Sequence, residues 1–212
     1  MTEIQGSAKA RQTRWFQTRG ALLDAAVTSL VRHGHSGTTM ARIQEYAGVS
    51  RGSLTHHFGS MQELLVAAIS HVAEGQLAQV TDFADTLAPG HDPDELVGLL
   101  HRFMSGPMFV AGLELWLAAR TDDALKRALA PVEKDFGYRM RNALQDRGVV
   151  GPGARISRAD LEMLFVLLRG LAVTQILRAD DTTQRRILTD WADQLRHRAL
   201  PASVAEDAER EH

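Results

Sequence analysis

Five polar side chains in one short segment carry the groups of this chain best suited to binding a polyanion: Arg51, Ser53, Thr55, His56 and His57. Guanidinium, hydroxyl and imidazole groups can donate hydrogen bonds to phosphate oxygens and to base edges in a DNA groove. Leu54 and Phe58 lie among them, four residues apart, and give a short helix one buried stripe. The polar groups lie elsewhere around that helix, so the pattern predicts a surface that contacts nucleic acid.

The segment from residue 38 to residue 58 reads as two short helices joined by a tight turn. Thr38 is predicted to cap the first of them, and Ile43 and Ala47 recur at helical spacing behind it. Gly48 supplies the backbone freedom that a helix end needs, and Ser50 is predicted to cap the second helix. Two helices in this order are a helix-turn-helix, whose second helix enters the major groove.

The same segment resembles the N-terminal domain of TetR-family (TetR/AcrR) transcriptional regulators. The matching positions are Thr38, Thr39, Ile43, Ala47, Gly48, Val49, Ser50, Gly52, Leu54, His57 and Phe58. The resemblance extends from about residue 18 to about residue 72, and beyond residue 80 only the helical architecture is similar. The chain departs from the family at Thr55, where a tyrosine is usual, and at Met61, where a lysine is common.

The resemblance implies a set of DNA-binding residues around the two helices. They are Thr38, Thr39, Arg51, Gly52, Ser53, Thr55, His56 and His57. Thr39 is expected to offer its hydroxyl and backbone N–H to a phosphate oxygen at a helix N-terminus. Arg51 is expected to contact guanine or phosphate, and Thr55 a thymine methyl group.

Charge is distributed unevenly along the chain. The net charge is only −2 over 212 residues, but residues 1–60 hold seven basic and three acidic side chains and so carry +4. The rest of the chain carries −6. A basic end with an acidic remainder is typical of a protein that presents one end to phosphate.

The residues needed for common enzyme classes are not arranged for catalysis. The chain has no cysteine, which excludes disulfides, thiolate metal sites and cysteine nucleophiles. None of the nine histidines is paired at the four-residue spacing of a helical zinc site, and no glycine-rich phosphate loop or nucleophile elbow occurs. We therefore expect neither an enzyme, nor a metal site, nor a cofactor.

The hydrophobic pattern predicts an all-α fold with two domains. Residues 1–13 are polar and are predicted to form a flexible basic arm, followed by a helix-turn-helix domain at residues 14–76 that starts with a helix ending at Gly34. A long fourth helix leads to a helical domain for ligand binding and dimerisation at residues 77–200, and residues 201–212 are predicted to be a disordered tail.

The last two helices of the second domain carry more apolar surface than one small bundle can bury. In the TetR family the corresponding helices pair with those of a second subunit, so the resemblance implies a homodimer. A single-chain core is the alternative. No apolar run reaches the ~18 residues that a membrane span needs, and the start of the chain lacks the pattern of a signal peptide, so we expect no membrane partner and a cytoplasmic protein.

An aromatic and methionine-rich set in the second domain is the candidate effector site. It comprises Phe103, Met104, Met108, Phe109, Glu114, Trp116, Phe136, Met140, Phe165 and Arg169. An ordinary core would explain each apolar member equally well. Glu114 and Arg169 interrupt apolar helices, and are expected to pair with each other, to face a polar ligand or, for Arg169, to lie at the dimer interface.

Together these observations predict a DNA-binding transcriptional regulator. The resemblance implies a repressor that binds an inverted-repeat operator as a homodimer and is released by a small molecule, of apolar or aromatic character to suit the candidate site. The alternatives are a transcriptional activator, or a helical ligand-binding protein or enzyme that retains the motif as a scaffold.

Overall fold

The computed structural model describes residues 2–87, 91–178 and 180–197, with side chains from residue 9 onward. Within these ranges the chain forms helices and no strand, apart from one isolated bridge between Val150 and Ile156, which confirms the all-α fold. The helices are α1 (Thr2–Gly37), α2 (Met40–Ala47), α3 (Arg51–His57), α4 (Met61–Ala84), α5 (Pro93–Ser105), α6 (Pro107–Ala119), α7 (Asp123–Gln145), α8 (Arg158–Gln175) and α9 (Thr182–Arg196).

Helix α1 begins earlier than the sequence pattern indicated. The segment predicted to be a flexible arm, residues 1–13, is helical from Thr2 in the structure. Residues 8–13 contain good helix formers and neither glycine nor proline, so local propensity supports a helix there. The missing apolar periodicity shows only that these turns are not buried. Gly34 interrupts the helix with φ 66°, as its predicted role as a stop requires.

The described chain divides into two compact units whose boundary differs from the predicted one. The first unit comprises the residues up to 73 together with 107–133, and the second comprises 74–106 and the residues from 134 onward. The sequence pattern predicted that residues 107–133 lie in the second domain. Ala111, Leu115 and Leu129 from that segment are buried in the same apolar cluster as the core of α1, which explains the difference.

The core of the first unit is built by the buried faces of α1, α2, α3, α6 and the start of α4. Leu22, Leu30, Ile43 and Leu64 are fully buried there, and Leu54 on α3 is 2% exposed. Burying a leucine or isoleucine side chain contributes roughly 1.5–3 kcal/mol. These contacts hold the two short helices, which are too short to be stable alone.

The second unit has its own apolar core and carries arginine–carboxylate ion pairs at its surface. Arg147, in the turn after α7, donates to Asp85 from Nε (2.6 Å) and from Nη2 (3.2 Å). Arg139 donates from Nη2 to Glu74 Oε2 at 2.8 Å. Such exposed pairs contribute little to stability because solvent and salt screen the charges, so the apolar core determines the stability of this unit.

A histidine and a glutamine join α5 to α9 inside the second unit. Gln184 is only 6% exposed, and its side-chain amide donates to Nε2 of the half-buried His101. Burial lowers the pKa of His101, the neighbouring Arg102 acts in the same direction, and Asp181 opposes them. Burial also lowers the pKa of His91, whose Nε2 atom is enclosed and has no partner among the described residues. Both rings are therefore neutral at neutral pH.

These two histidines predict a pH dependence of folding. Their pKa values are lower in the folded chain than in the unfolded chain, where a histidine titrates near pH 6.5. The unfolded chain then binds more protons, so the stabilisation is present above about pH 6.5 and is lost as the pH falls below it. We expect a smaller free energy of unfolding at pH 5.5 than at pH 7.5 in urea titrations. His101→Gln should reduce the difference, and equal stability at both pH values would contradict the prediction.

Within the described residues no single helix is long and apolar enough to cross a membrane, and only the consecutive pair α5 and α6 reaches that hydropathy and length together. The predicted disordered tail, residues 201–212, lies outside the described residues.

Candidate nucleic-acid interface

The turn between α2 and α3 is fixed by backbone hydrogen bonds at Gly48. This residue has φ 63° and ψ 30°, and its N–H donates to the carbonyl of Glu45 while the N–H of Val49 donates to that of Gln44. These are the two bonds of a Schellman motif, which ends a helix with a left-handed residue. The hydroxyl of Ser50 then accepts from the N–H of Ser53 and starts α3, as predicted.

Helix α3 presents the predicted polar face to solvent. Leu54 and Phe58 are 2% and 1% exposed and anchor the helix in the core of the first unit. Arg51, Thr55 and His56 are exposed on the remaining surface. Exposed and partly exposed positions also include Gly52, Ser53 and His57. The structure therefore brings the side chains predicted on α3 together on one short helix.

The start of α2 differs from the prediction at one residue. The N-cap is Thr39, whose hydroxyl accepts from the N–H of Arg42 at 3.2 Å, and its side chain is exposed. Thr38, predicted to be the cap and a DNA contact, is only 7% exposed. Its hydroxyl donates to the carbonyl of Gly34 and accepts from Ser29. Thr38 therefore stabilises the junction between α1 and α2 through buried hydrogen bonds. Its hydroxyl is not among the exposed groups that could contact DNA.

His57 is less exposed than its predicted role suggested. Its ring lies 5.0 Å from the ring of Trp15 between centroids, and its Nδ1 atom is buried without a hydrogen-bond partner among the described residues. Burial lowers the pKa of His57 below 6.5, and the neighbouring His56 and Arg19 lower it further. The ring is therefore neutral at neutral pH and is packed on one side.

The sequence patterns did not identify two residues of α1 that lie next to α3, the second helix of the helix-turn-helix (the recognition helix). Trp15 packs on His57, and the guanidinium carbon of Arg19 lies 5.0 Å from the centre of the Phe58 ring. Their spacing of four residues on a helix places them on the same face, which was the available signal. Nothing in the sequence alone indicated that this face lies against α3.

The candidate effector residues fall into two groups. Phe103, Met104, Phe136 and Phe165 are partly buried against the core of the second unit, and Met140 is buried within it. Arg169 on α8 belongs to the same unit and is exposed. The other four belong to the first unit, and they are Met108, Phe109, Glu114 and Trp116.

The candidate effector residues of the first unit contact a surface pocket, each other or a backbone group. Met108 lines a surface pocket of about 390 Å³ with Asp24, Val27, Thr28, Val31, Arg32 and Pro107. The rings of Phe109 and Trp116 meet edge to face with 6.0 Å between centroids. Glu114 accepts a hydrogen bond from the backbone N–H of His35 at 2.8 Å. This backbone partner was not among the predicted alternatives, which were a pair with Arg169 or a polar ligand. No group of three or more metal-ligating side chains gathers in the described part of the chain.

Comparison with known proteins agrees with this geometry. Residues 22–68 match the family model of bacterial regulatory proteins of the tetR family. Over 196 residues the chain is 28% identical to the HTH-type transcriptional regulator CymR of Pseudomonas putida, which covers 90% of this chain and 95% of CymR. Both findings support a TetR-family transcriptional regulator. The matched residues include α2, α3 and the core residues of α1 that hold them.

Solved structures share the TetR-family fold along most of the chain. The multidrug binding protein EbrR, crystallised with ethidium, is 25% identical with a TM-score of 0.57, covering 82% of this chain and 97% of EbrR. A TetR-family regulator from Mesorhizobium loti is 17% identical with a TM-score of 0.65, covering 86% and 96%. The relatives and structural neighbours of the chain are TetR-family transcriptional regulators and not enzymes, in agreement with the predicted class.

Proposed function

We propose that this regulator binds an inverted-repeat operator as a homodimer, represses transcription there, and is released by an apolar or aromatic small molecule. A regulator of this kind acts in the compartment that holds the DNA, the cytoplasm. The observation that carries the proposal is the exposed polar face of α3, with Arg51, Thr55 and His56 on a helix anchored by Leu54 and Phe58.

The docking geometry follows from the size of that face. One helix of seven residues reaches only a few base pairs, so useful specificity needs two copies on one duplex. Selecting duplexes from a random-sequence library with the purified protein tests this directly. The selected sites should contain two half-sites in inverted orientation, about one helical turn apart or slightly more. A single asymmetric half-site would contradict the dimeric binding mode.

Arg51→Ala is expected to weaken binding to the selected duplex by about 1–3 kcal/mol, or roughly 5- to 150-fold. Arg51 is exposed at the start of α3, so its loss removes a contact with guanine or phosphate without opening the core. Fluorescence anisotropy measures the affinity, and the thermal midpoint should stay within about a degree. Arg127→Ala, an exposed arginine on α7, serves as the matched control. Equal affinities of the Arg51 variant and the control would remove Arg51 from the interface.

Exposed apolar side chains support dimerisation through the last helices. On α8, Met163 is 47% exposed, Val166 68% and Val173 46%, and Ile176 and Leu177 directly after it are 61% and 92% exposed. The spacing of Met163, Val166 and Val173 places them on one face of α8, and several exposed apolar side chains on one helix face suit an interaction site. Analytical ultracentrifugation of the wild type and of Val166→Asp tests the assignment, since a buried charge at the interface should shift the equilibrium toward monomer.

The effector site is proposed within the second unit. Phe103, Phe136 and Phe165 are partly buried against the apolar core that contains Met140, and side chains of this kind suit an apolar or aromatic ligand. EbrR, which resembles this chain along 82% of its length, is crystallised with the aromatic ligand ethidium. Calorimetric titration of ethidium, without DNA, against the wild type and Phe136→Ala tests the lining, because the smaller side chain should lower the affinity.

Release requires that the ligand bind the DNA-free shape more tightly than the operator-bound shape. A 100-fold loss of operator affinity needs about 2.7 kcal/mol of differential binding. Transcription from a promoter carrying the selected site tests the direction of control. The protein should lower the transcript level, and a rise on adding protein would identify an activator instead.

A further inference from the structure

A carboxylate from α6 reaches the junction between α1 and α2. Glu114 Oε2 accepts a hydrogen bond of 2.8 Å from the backbone N–H of His35, a residue 79 positions away in sequence. Both residues lie in the first unit, and both are partly buried. The contact therefore joins a helix outside the helix-turn-helix to the segment that leads into it.

The His35 N–H needs a partner from outside its own helix. Gly34, with φ 66° and ψ 179°, breaks the helical path of α1, and the chain resumes helical geometry after it. The first N–H groups after such a break have no acceptor in the preceding turn, as at any helix start. Glu114 supplies that acceptor with a charge-assisted hydrogen bond.

The fit around the carboxylate is close. A Cβ atom built on Gly34 would lie 2.9 Å from Glu114 Oε2 and 3.4 Å from its carboxyl carbon. Only a residue without a side chain accommodates the carboxylate in this position, and only glycine adopts the positive φ there without strain. A side chain at position 34 would therefore displace the carboxylate from its place beside the His35 N–H.

Further hydrogen bonds continue from this contact to the start of α2. The Thr38 hydroxyl donates to the Gly34 carbonyl at 2.8 Å and accepts from the Ser29 hydroxyl at 3.0 Å, while the Thr38 N–H donates to the His35 carbonyl at 3.2 Å. Thr39 follows directly and caps α2. Glu114, His35, Gly34, Thr38 and Thr39 thus form a connected path to the exposed helix start proposed to meet a phosphate.

We propose that Glu114 is a positioning residue for DNA recognition, which holds the α1–α2 junction so that the Thr39 end of α2 and the recognition helix behind it keep their DNA-binding arrangement. Glu114 makes α6 a determinant of operator affinity without touching DNA. The inference rests on the proposed function, because it presumes that α2 and α3 bind a duplex.

The experiment compares Glu114→Met, which keeps the length of the side chain without an acceptor, with Glu114→Gln, which keeps an acceptor oxygen. The probe is the duplex that the wild type selects from a random library. Affinity is measured by anisotropy, and exchange of the His35 amide hydrogen is measured by NMR on the same samples. We expect the methionine variant to bind about tenfold more weakly and to exchange the His35 amide faster. The glutamine variant should bind within about threefold of the wild type.

Several results would overturn the assignment. If Glu114→Met exchanges the His35 amide faster but binds like the wild type, the junction does not control affinity. If Glu114→Gln loses as much affinity as Glu114→Met, the hydrogen-bond acceptor is not the cause. An affinity loss equal to the fraction of unfolded protein would indicate a purely structural role.

A milder variant keeps the test decisive if the methionine variant does not fold. Glu114→Asp shortens the side chain by one methylene and is expected to weaken both the His35 contact and DNA binding, whereas faster amide exchange with unchanged affinity would overturn the proposal. If the wild type itself selects no duplex, the proposed function fails first and the positioning role fails with it. If the wild type selects a duplex and every Glu114 variant binds that duplex with wild-type affinity, the positioning role alone is overturned.

Discussion

Phe58→Ala is expected to destabilise the first unit by about 3–5 kcal/mol and to abolish DNA binding. The Phe58 side chain is 1% exposed and closes the core directly behind the recognition helix. Its removal leaves a cavity and also removes the ring under the Arg19 guanidinium. Tryptophan fluorescence during urea unfolding measures the effect, because Trp15 and Trp116 lie in the first unit and Trp191 in the second.

The control for this prediction is Thr55→Ala on the exposed side of the same helix. It should change the free energy of unfolding by less than about 0.5 kcal/mol. In a Trp191→Phe background the remaining fluorescence reports the first unit alone. A loss below about 1 kcal/mol for Phe58→Ala would show that this face of α3 does not anchor the domain.

Operator affinity is expected to fall about 10³-fold between 50 and 200 mM salt, as six phosphate contacts per dimer predict. Each protomer offers more than three groups that can contact phosphate. They are the exposed Arg11, Arg14 and Thr39, the N-terminus of α2 and the start of α3. Anisotropy titrations of the selected duplex at several salt concentrations give the slope of log affinity against log salt.

A scrambled duplex of the same length is the control for that measurement. Its affinity should be lower throughout but fall steeply too, because non-specific binding is also electrostatic. A loss below about tenfold for the selected duplex would correspond to fewer than two phosphate contacts per dimer and would contradict the proposed interface.

Local residues accounted for most of what the sequence predicted about the first unit. Gly48 and Ser50 determine the turn between α2 and α3 through their own backbone and side-chain hydrogen bonds, so a short stretch of sequence was sufficient. Leu54 and Phe58 determine which face of α3 is buried by their spacing alone. The exposed positions of Arg51, Thr55 and His56 then follow.

Neighbouring positions with similar side chains were harder to assign. Thr38 and Thr39 are both hydroxyl residues at a helix start, and either could cap α2 by type. The distinction depends on Ser29 and Gly34, which form hydrogen bonds with the buried Thr38 hydroxyl. Thr39 is then the residue that caps α2. Such a preference arises from packing between segments and is not encoded in spacing.

Long-range packing explains the remaining differences. Glu114 stands out in an apolar helix, which correctly indicated a specific partner, but the partner is a backbone N–H that no residue type reveals. Likewise, the sequence placed α6 in the second domain, because the apolar pattern of a helix does not specify which unit buries it. Its residues Ala111 and Leu115 lie in the core of the first unit.

The discontinuous first unit has a consequence for biosynthesis. Leu129 completes its core, so the ribosome must add residues 74–133 after residue 73 before that core can close. At ~5–20 residues per second this takes about 3–12 s, during which the apolar faces of α1 and α4 lack part of their cover. The nascent chain is thus a candidate for chaperone binding in that interval. A transplanted DNA-binding module would likewise have to carry residues 107–133 with it.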